Sequence, residues 1–360
     1  MKHYSQPTLL INERVARNNI KVMAAKAREN NLSFEPHFKT HQSKEVGEWF
    51  REEDVTAITV SSVAMAIYFA ADGWENITIA FPVNILELEE IERLATKVKL
   101  TLLVQDTLIV EKLNTLTSKV YLFIEVDAGY HRSGININST KEIRNIIEII
   151  KTTKHCFKGF YYHAGNSYNA RSSSDVLALY ADMSSKLALL KQEFKDYKPH
   201  IATGDTPCCS VVDVFEGIDS IHPGNFVYYD YTQVQIGSCE IINVASHLLC
   251  PIVALQKERN EVIIYGGGVH LSKEAFETSE LKHFGLVGKL NVDGEFEAYE
   301  SSFVKSVSQE HGIISTTQKV INVLKVGDLV AILPIHSCMT VDCMSNIFTE
   351  RGNIISTLPK

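Results

Sequence analysis

Between residue 13 and about residue 230 the chain repeats one alternation eight times, and this repetition limits the fold more than any single motif. A short apolar run is followed by a longer stretch with Leu, Ile and Val at helical spacing. The runs are "LSFEPHFKTH", "AITVSS", "NITIAF", "KLTLLVQD", "KVYLFIEVDAG", "CFKGFYYHAG", "HIATGD" and "IDSIHPGNFV". Between them lie amphipathic stretches such as "SKEVGEWFREED", "ILELEEIERLATKV" and "TKEIRNIIEIIKTTK". Eight strands alternating with helices predict an α/β chain with a (β/α)8 barrel. The rival, a doubly wound open sheet, would carry a glycine-rich dinucleotide fingerprint after its first strand, and none is present. After about residue 235 the runs become β-rich and are punctuated by Gly and Asp-Gly turns, as in "NEVIIYGGGVHL" and "QKVINVLKVGDLVAILPIHSC". The expected domains are therefore a barrel over residues 13–234 and a β domain over 235–360, with residues 1–12 as a candidate addition to the latter. "YGGGVH" lacks the Gly-Lys-Ser/Thr ending of a phosphate loop and is expected to be a tight turn without a following helix.

Apolar residues make up 45% of the 360, enough for a packed core without staples. The net charge of −8 is spread among interspersed acids and bases, which excludes a basic stripe of the kind that binds nucleic acid. The start "MKHYSQPTLL" shows no secretory pattern, and no run of about 18 apolar residues occurs, so a cytoplasmic protein without membrane partners is expected. Seven scattered cysteines without a C-x-x-C pair suggest reduced thiols and no zinc-ribbon site.

In a barrel of this type the strand ends and the loops after them carry the chemistry. If "LSFEPHFKTH" is one strand, Leu32, Phe34, Pro36 and Phe38 share the core face, while Glu35, His37, Lys39 and His41 form a titratable row. An ordinary solvated strand would show the same alternation. The fifth strand ends in "EVDAGYHRSG", with Asp127, His131 and Arg132; the sixth in "YYHAGNSY", with His163, Asn166 and Tyr168. The loops after strands seven and eight hold Gly204, Asp205 and Thr206, and Gly224 and Asn225, residues suited to bringing backbone N–H groups to a phosphate. Asp205 fits such a site only with its carboxylate turned away. A lysine ending the first strand and a phosphate site across the mouth suggest pyridoxal phosphate held as a Schiff base on Lys39, with His37 and His41 as its surroundings. Other barrel enzymes use Schiff-base lysines without this cofactor, and both options stand on spacing alone.

In "AILPIHSCMTVDC", an extended chain would put His336 and Cys338 on one side, and imidazole with thiolate favours zinc over magnesium or calcium. Asp342 and Cys343 are candidate additional ligands. Buried residues of a β domain would account for the same pattern.

Taken together, "PHFKTH", "EVDAGYHRSG", "GFYYHAGNSY", "HPGNFVYYD", "VSQEHG" and "PIHSC" resemble, in order and over nearly the whole chain, the D-serine dehydratase and D-threonine aldolase group. These are relatives of alanine racemase, pyridoxal-phosphate enzymes of fold type III. The resemblance implies Lys39 as cofactor lysine and base, with His37 beside it. It makes Arg132, Tyr168 and His163 candidate contacts to the cofactor ring, and Gly204, Asp205, Thr206, Gly224 and Asn225 the phosphate side. It also implies zinc or another divalent metal on His336 and Cys338, a small D-amino acid as substrate, and a homodimer. In this group the pair is His-x-Cys in dehydratases and His-x-Asp in aldolases, so Cys338 favours dehydration of a D-β-hydroxy amino acid to a 2-oxo acid and ammonia. The alternatives are an aldolase, a racemase using a second base such as Tyr265, and a non-catalytic cofactor carrier, against which the residues after the barrel speak. This chain departs from the group's usual pattern at Asn166 (usually His), at Ile335 (usually Asn) and in the loop Gly204-Asp205-Thr206-Pro207 (usually Gly-Ser-Thr-Pro).

Overall fold

The computed structural model describes residues 4–292 and 294–359. The chain divides into two compact units, one spanning Lys21–Gly224 with the last residues of the chain, the other joining the segment through Ile20 to Asn225–Thr357.

The first unit is a closed parallel barrel. Its barrel strands are β1 (Ser33–Phe34), β2 (Ala57–Val60), β3 (Asn76–Pro82), β4 (Lys99–Val104), β5 (Tyr121–Asp127), β6 (Cys156–Tyr162), β7 (His200–Thr203) and β8 (Ser220–Ile221). From β2 onward each pairs in parallel with the next, and β8 pairs with β1. Closure between β1 and β2 comes from the segment after Phe34: the Thr59 N–H donates to the Pro36 carbonyl at 2.9 Å and the Phe38 N–H to the Thr59 carbonyl at 2.8 Å. Each of the eight sequence runs overlaps one of these strands. Helices on the outside begin where side chains accept the first free amides, as when Ser62 accepts from Met65 and Asp106 from Ile109. Inside, Leu103, Phe123, Tyr161 and Ala202 form one packed layer.

The alternation expected through residue 41 stops early. β1 ends at Phe34, and Phe38–His41 form a turn closed by the Gln42 N–H on the Phe38 carbonyl. His41 therefore does not share a face with Lys39. It is fully buried with Phe38, 4.4 Å between ring centroids, and stacks on Phe50. Burial depresses its pKa to about 3, so it is an apolar packing group at neutral pH.

In the second unit an eight-stranded sheet carries the core. Its strands are Thr8–Ile11 near the N-terminus, then β9 (Ser246–Gln256), β10 (Glu261–Tyr265), β11 (Gly285–Leu290), β12 (Phe296–Val307), β13 (His311–Ser315), β14 (Leu329–Pro334) and β15 (Ile347–Thr349). The order is β10-β13-β12-β11-β14-β9, then Thr8–Ile11, then β15, and the long β9 also pairs with β10. Leu10, Leu249 and Ala331 pack as one cluster on this sheet. The triple glycine leads into a single helical turn, Gly268–Leu271, and a Cβ on Gly267 would collide with the carbonyls of Ser308 and Gln309. Those glycines serve backbone packing, with a short helix where none was expected. All seven cysteines are free thiols, and no helix among the described residues is long and apolar enough to cross a membrane.

Candidate active site

At the mouth of the barrel, Lys39 sits in the turn after β1, and its N–H donates to the buried His37 ring at 3.3 Å. Burial, then the positive charges of Lys39 and the nearby histidines, hold His37 well below its usual pKa. His163, just past β6, is depressed to about 3 by burial, Lys39 and Arg132, and its Nδ1 bonds the Gly204 carbonyl. A carbonyl can only accept, so Nδ1 carries the proton and the neutral ring presents Nε2 as an acceptor. Lys39 thus acts electrostatically on two imidazoles, those of His37 and His163, that are neutral at pH 7.

Tyr168 lies in a 3-10 turn, and its hydroxyl oxygen accepts the Thr206 N–H at 3.3 Å. Its ring centroid is 6.3 Å from that of His163. Thr206 opens a six-residue helix capped by Asp205, whose Oδ1 accepts from the Cys208 N–H at 2.7 Å and the Ser167 hydroxyl at 2.9 Å. The Asp205 carboxylate is engaged in this cap, and burial pushes its pKa up to about 6. Gly204 and Gly224 are needed for lack of a side chain: a Cβ would come within 2.9 Å of His222 Cβ in the first case and of the His37 carbonyl in the second. The two loops thus bring bare backbone close to His37 and His163, an approach that any side chain would block, and such free backbone fits a phosphate-bearing cofactor. Arg132 is exposed, its guanidinium 5.3 Å from the Tyr130 ring centroid. The loop carrying it is shaped by Asp127, whose Oδ1 accepts the amides of Gly129, Tyr130 and His131.

Motif reading passed over two sets of buried polar groups. Glu125, with its carboxyl raised by burial, accepts from the Ser133 hydroxyl at 2.7 Å and lines a small cleft with Asp127, Tyr130, Arg132 and His163. Deeper, Glu35 lies 3.5 Å from Lys158 and 3.9 Å from His222, whose Nδ1 bonds the Thr59 hydroxyl at 2.6 Å. Burial opposes the Glu35 charge, but His222 and Lys158 outweigh it and lower its pKa. The available signal was Glu35 within the titratable row. Lys158 gave none, because Gly159, at φ +149° beside an irregular strand register, shifts the faces of β6.

The second unit holds the other expected pair. The chain is not extended there: β14 ends at Pro334, and a helix spans Ser337–Cys343 with His336 at its N-cap. His336 and Cys338 nevertheless lie near enough for Cys338 to act on the titration of His336. Burial works against the imidazolium, yet Cys338, Glu274 and Asp230 hold its pKa up at about 11. Glu274 Oε2 lies 2.6 Å from His336 Nδ1, the carboxylate–histidine arrangement that orients a metal-binding imidazole with Nε2 forward. A borderline nitrogen and a soft sulfur behind one carboxylate suit zinc. Asp342 and Cys343 add nothing to the pair, since no group of three such side chains converges among the described residues.

Asn225, expected on the phosphate side, belongs to this second unit, and its buried amide Nδ2 donates to Asp230 Oδ2 at 2.6 Å and Ser337 Oγ at 3.0 Å. Tyr265 ends β10 and packs edge-on against His270.

Comparison with known proteins agrees with this architecture. The family described as "Alanine racemase, N-terminal domain" matches residues 11–232, more than half of the chain, and "Putative serine dehydratase domain" matches residues 245–349. The chain is 26% identical to a D-serine dehydratase of Dictyostelium discoideum, over 99% of this chain and 96% of that protein. The solved D-threo-3-hydroxyaspartate dehydratase from Delftia sp. HT23 superposes with a TM-score of 0.90 at 21% identity, covering 99% of this chain and 98% of that one. Structures of that enzyme include a histidine-to-alanine mutant and, two residues further along its chain, a cysteine-to-alanine mutant in the metal-free form. D-threonine aldolase from Filomicrobium marinum shares the fold at a TM-score of 0.83 and 15% identity, over 98% and 94% of the two chains. The chain belongs to the alanine racemase N-terminal domain family.

Proposed function

We propose that this protein is a pyridoxal-phosphate- and divalent-metal-dependent dehydratase that converts a D-β-hydroxy amino acid to a 2-oxo acid and ammonia. The observation that carries it is the meeting of His336 and Cys338 with Glu274 behind the imidazole. Further support comes from relatives named D-serine dehydratase and D-threo-3-hydroxyaspartate dehydratase, and from the metal-free form of the latter's cysteine mutant.

The cofactor, when bound, supplies an electron sink for the pair of electrons left when Cα loses its proton. Lys39 would hold it and then take that proton at Nζ, a role suited to an amine flanked by neutral His37 and His163. Gly204, Thr206 and Gly224 would cradle its phosphate, and His163 and Tyr168 would face its ring. His336 and Cys338 would hold the metal, with zinc as the first candidate. The substrate's β-hydroxyl leaves with its bonding electrons and takes up a proton to become water, and the resulting enamine is hydrolysed to the 2-oxo acid with release of ammonia. On the same reading the working protein is a cytoplasmic homodimer with a small-molecule substrate and neither nucleic acid nor membrane as partner.

The test is product analysis with D-threonine, using cofactor-loaded protein with added zinc and with a chelator. Metal-dependent 2-oxobutyrate and ammonia support the dehydratase. Glycine with acetaldehyde would replace it by an aldolase, and L-allo-threonine by a racemase.

A further inference from the structure

Asn225 and Asp230 hold the metal pair from one short segment of the second unit. This segment engages Ile335, Ser337 and Cys338, on either side of His336 at the strand-to-helix junction. The Ile335 carbonyl accepts from the Thr232 hydroxyl at 2.8 Å, and the Ser337 N–H donates to Asp230 Oδ2 at 3.0 Å. Next to Ser337, Cys338 Sγ lies 3.6 Å from Asn225 Nδ2. His336 is thus pinned on both sides along the backbone while Glu274 fixes its ring.

The amide orientation of Asn225 follows from charge. Flipping it would set Oδ1 against the buried Asp230 carboxylate at 2.6 Å, so the NH2 group must face Asp230. Two hydrogens then serve three acceptors: one goes to Asp230, and the other is shared between Ser337 Oγ and Cys338 Sγ. A thiolate accepts far better than a thiol, so a sulfur that has given up its proton to bind a metal draws the second hydrogen to itself.

Resting on the metal reading above, we propose that Asn225 donates an N–H···S hydrogen bond to the metal-binding thiolate of Cys338, and that Asp230 orients this donor and the helix start. Both are positioning residues. Nothing in the sequence separates this role from the phosphate role expected of a residue after Pro-Gly, since the motif is the same and only the side-chain direction differs.

The test uses the cofactor-loaded protein with cobalt(II) as the metal, reading the thiolate-to-cobalt charge-transfer band, and with zinc in competition against a chromophoric chelator. Asn225→Leu keeps the shape and removes the donor. Zinc affinity is expected to fall about 10- to 100-fold, the scale seen for lost outer-shell partners. The band is expected to persist but move to longer wavelength, because a thiolate without its donor holds its electrons less tightly. Asp230→Asn should move both readings the same way by a smaller amount. Where the leucine variant fails to fold, Asn225→Ala removes the same donor and carries the same expectations. Wild-type affinity with an unshifted band in the asparagine variants overturns this proposal alone. Absence of any thiolate band in the wild-type protein overturns the metal reading, and this proposal with it.

Discussion

Glu274 Oε2 and His336 Nδ1 are 2.6 Å apart, although 62 residues separate them in the chain. A carboxylate on Nδ1 fixes the ring plane and tautomer, so the ligand nitrogen is determined by a residue that belongs to no motif.

Glu274→Ala should therefore weaken zinc binding by about 10- to 100-fold, whereas Glu274→Gln, which still accepts from Nδ1–H, should cost less. Chelator competition on the purified protein measures both. Equal affinity in the alanine variant would leave Glu274 as a bystander.

Lys39→Ala should remove the visible absorbance that the lysine-bound cofactor contributes and abolish turnover with it. An unchanged absorption spectrum after reconstitution would exclude Lys39 as the cofactor lysine.

Cys338→Ala should lower turnover by roughly 100-fold or more, since a Lewis acid contributes several kcal/mol to departure of the hydroxyl. The cofactor absorbance should stay, because Cys338 belongs to the second unit and the cradle to the first. Loss of absorbance would point to a structural role for the pair.

Gly224→Ala forces a methyl to within 2.9 Å of the His37 carbonyl and 3.2 Å of Thr40 Oγ1, in backbone that must shift to admit it. The expected cost is about 1–3 kcal/mol of stability, with weaker retention of cofactor on dialysis. A thermal midpoint and a cofactor content equal to wild type would count against the tight cradle.

Acid should destabilise the fold below about pH 6.5. His41 and His163 titrate near 3, and His222, His247 and His283 near 4, each lowered by burial from an ordinary value of 6.5. Between those limits the unfolded chain binds more protons, so stability rises with pH and is lost as pH falls. Asp205 acts in the opposite sense between its ordinary 3.8 and about 6, where the folded state binds the extra proton, but the histidines outnumber it. His247, stacked on Phe296 at 5.4 Å, isolates the effect. His247→Phe should shrink the stability loss between pH 7 and pH 5, measured by urea unfolding, by roughly 2 kcal/mol. An unchanged loss would show that His247 is protonated in the fold.

The barrel was legible because hydrophobic period is a local property: each of the eight apolar runs can bury itself only as a strand between helices, whatever surrounds it. The place of Lys39 just after β1 was legible for the same reason, as a lysine near the end of the first such run. Faces were harder. Glycine-dependent irregularity in β6 turns Lys158 inward with Tyr161, and the early end of β1 sends His41 into an aromatic cluster. Alternation counts residues and cannot register a bulge or a turn.

Sequence alone determined the alternation of strands and helices in the barrel, its order, and which residue kinds were available for chemistry, since propensity and periodicity depend only on neighbours in the chain. Tertiary structure alone decided the pairings: Glu274 with His336, Asn225 with Asp230 and Cys338, and Glu35 with Lys158 and His222. All but Asn225 with Asp230 join charged or polar groups far apart in sequence, at distances where a shift of an ångström makes or breaks the bond. Such contacts exist only after the backbone has closed, because burial removes the water that would otherwise satisfy each partner separately.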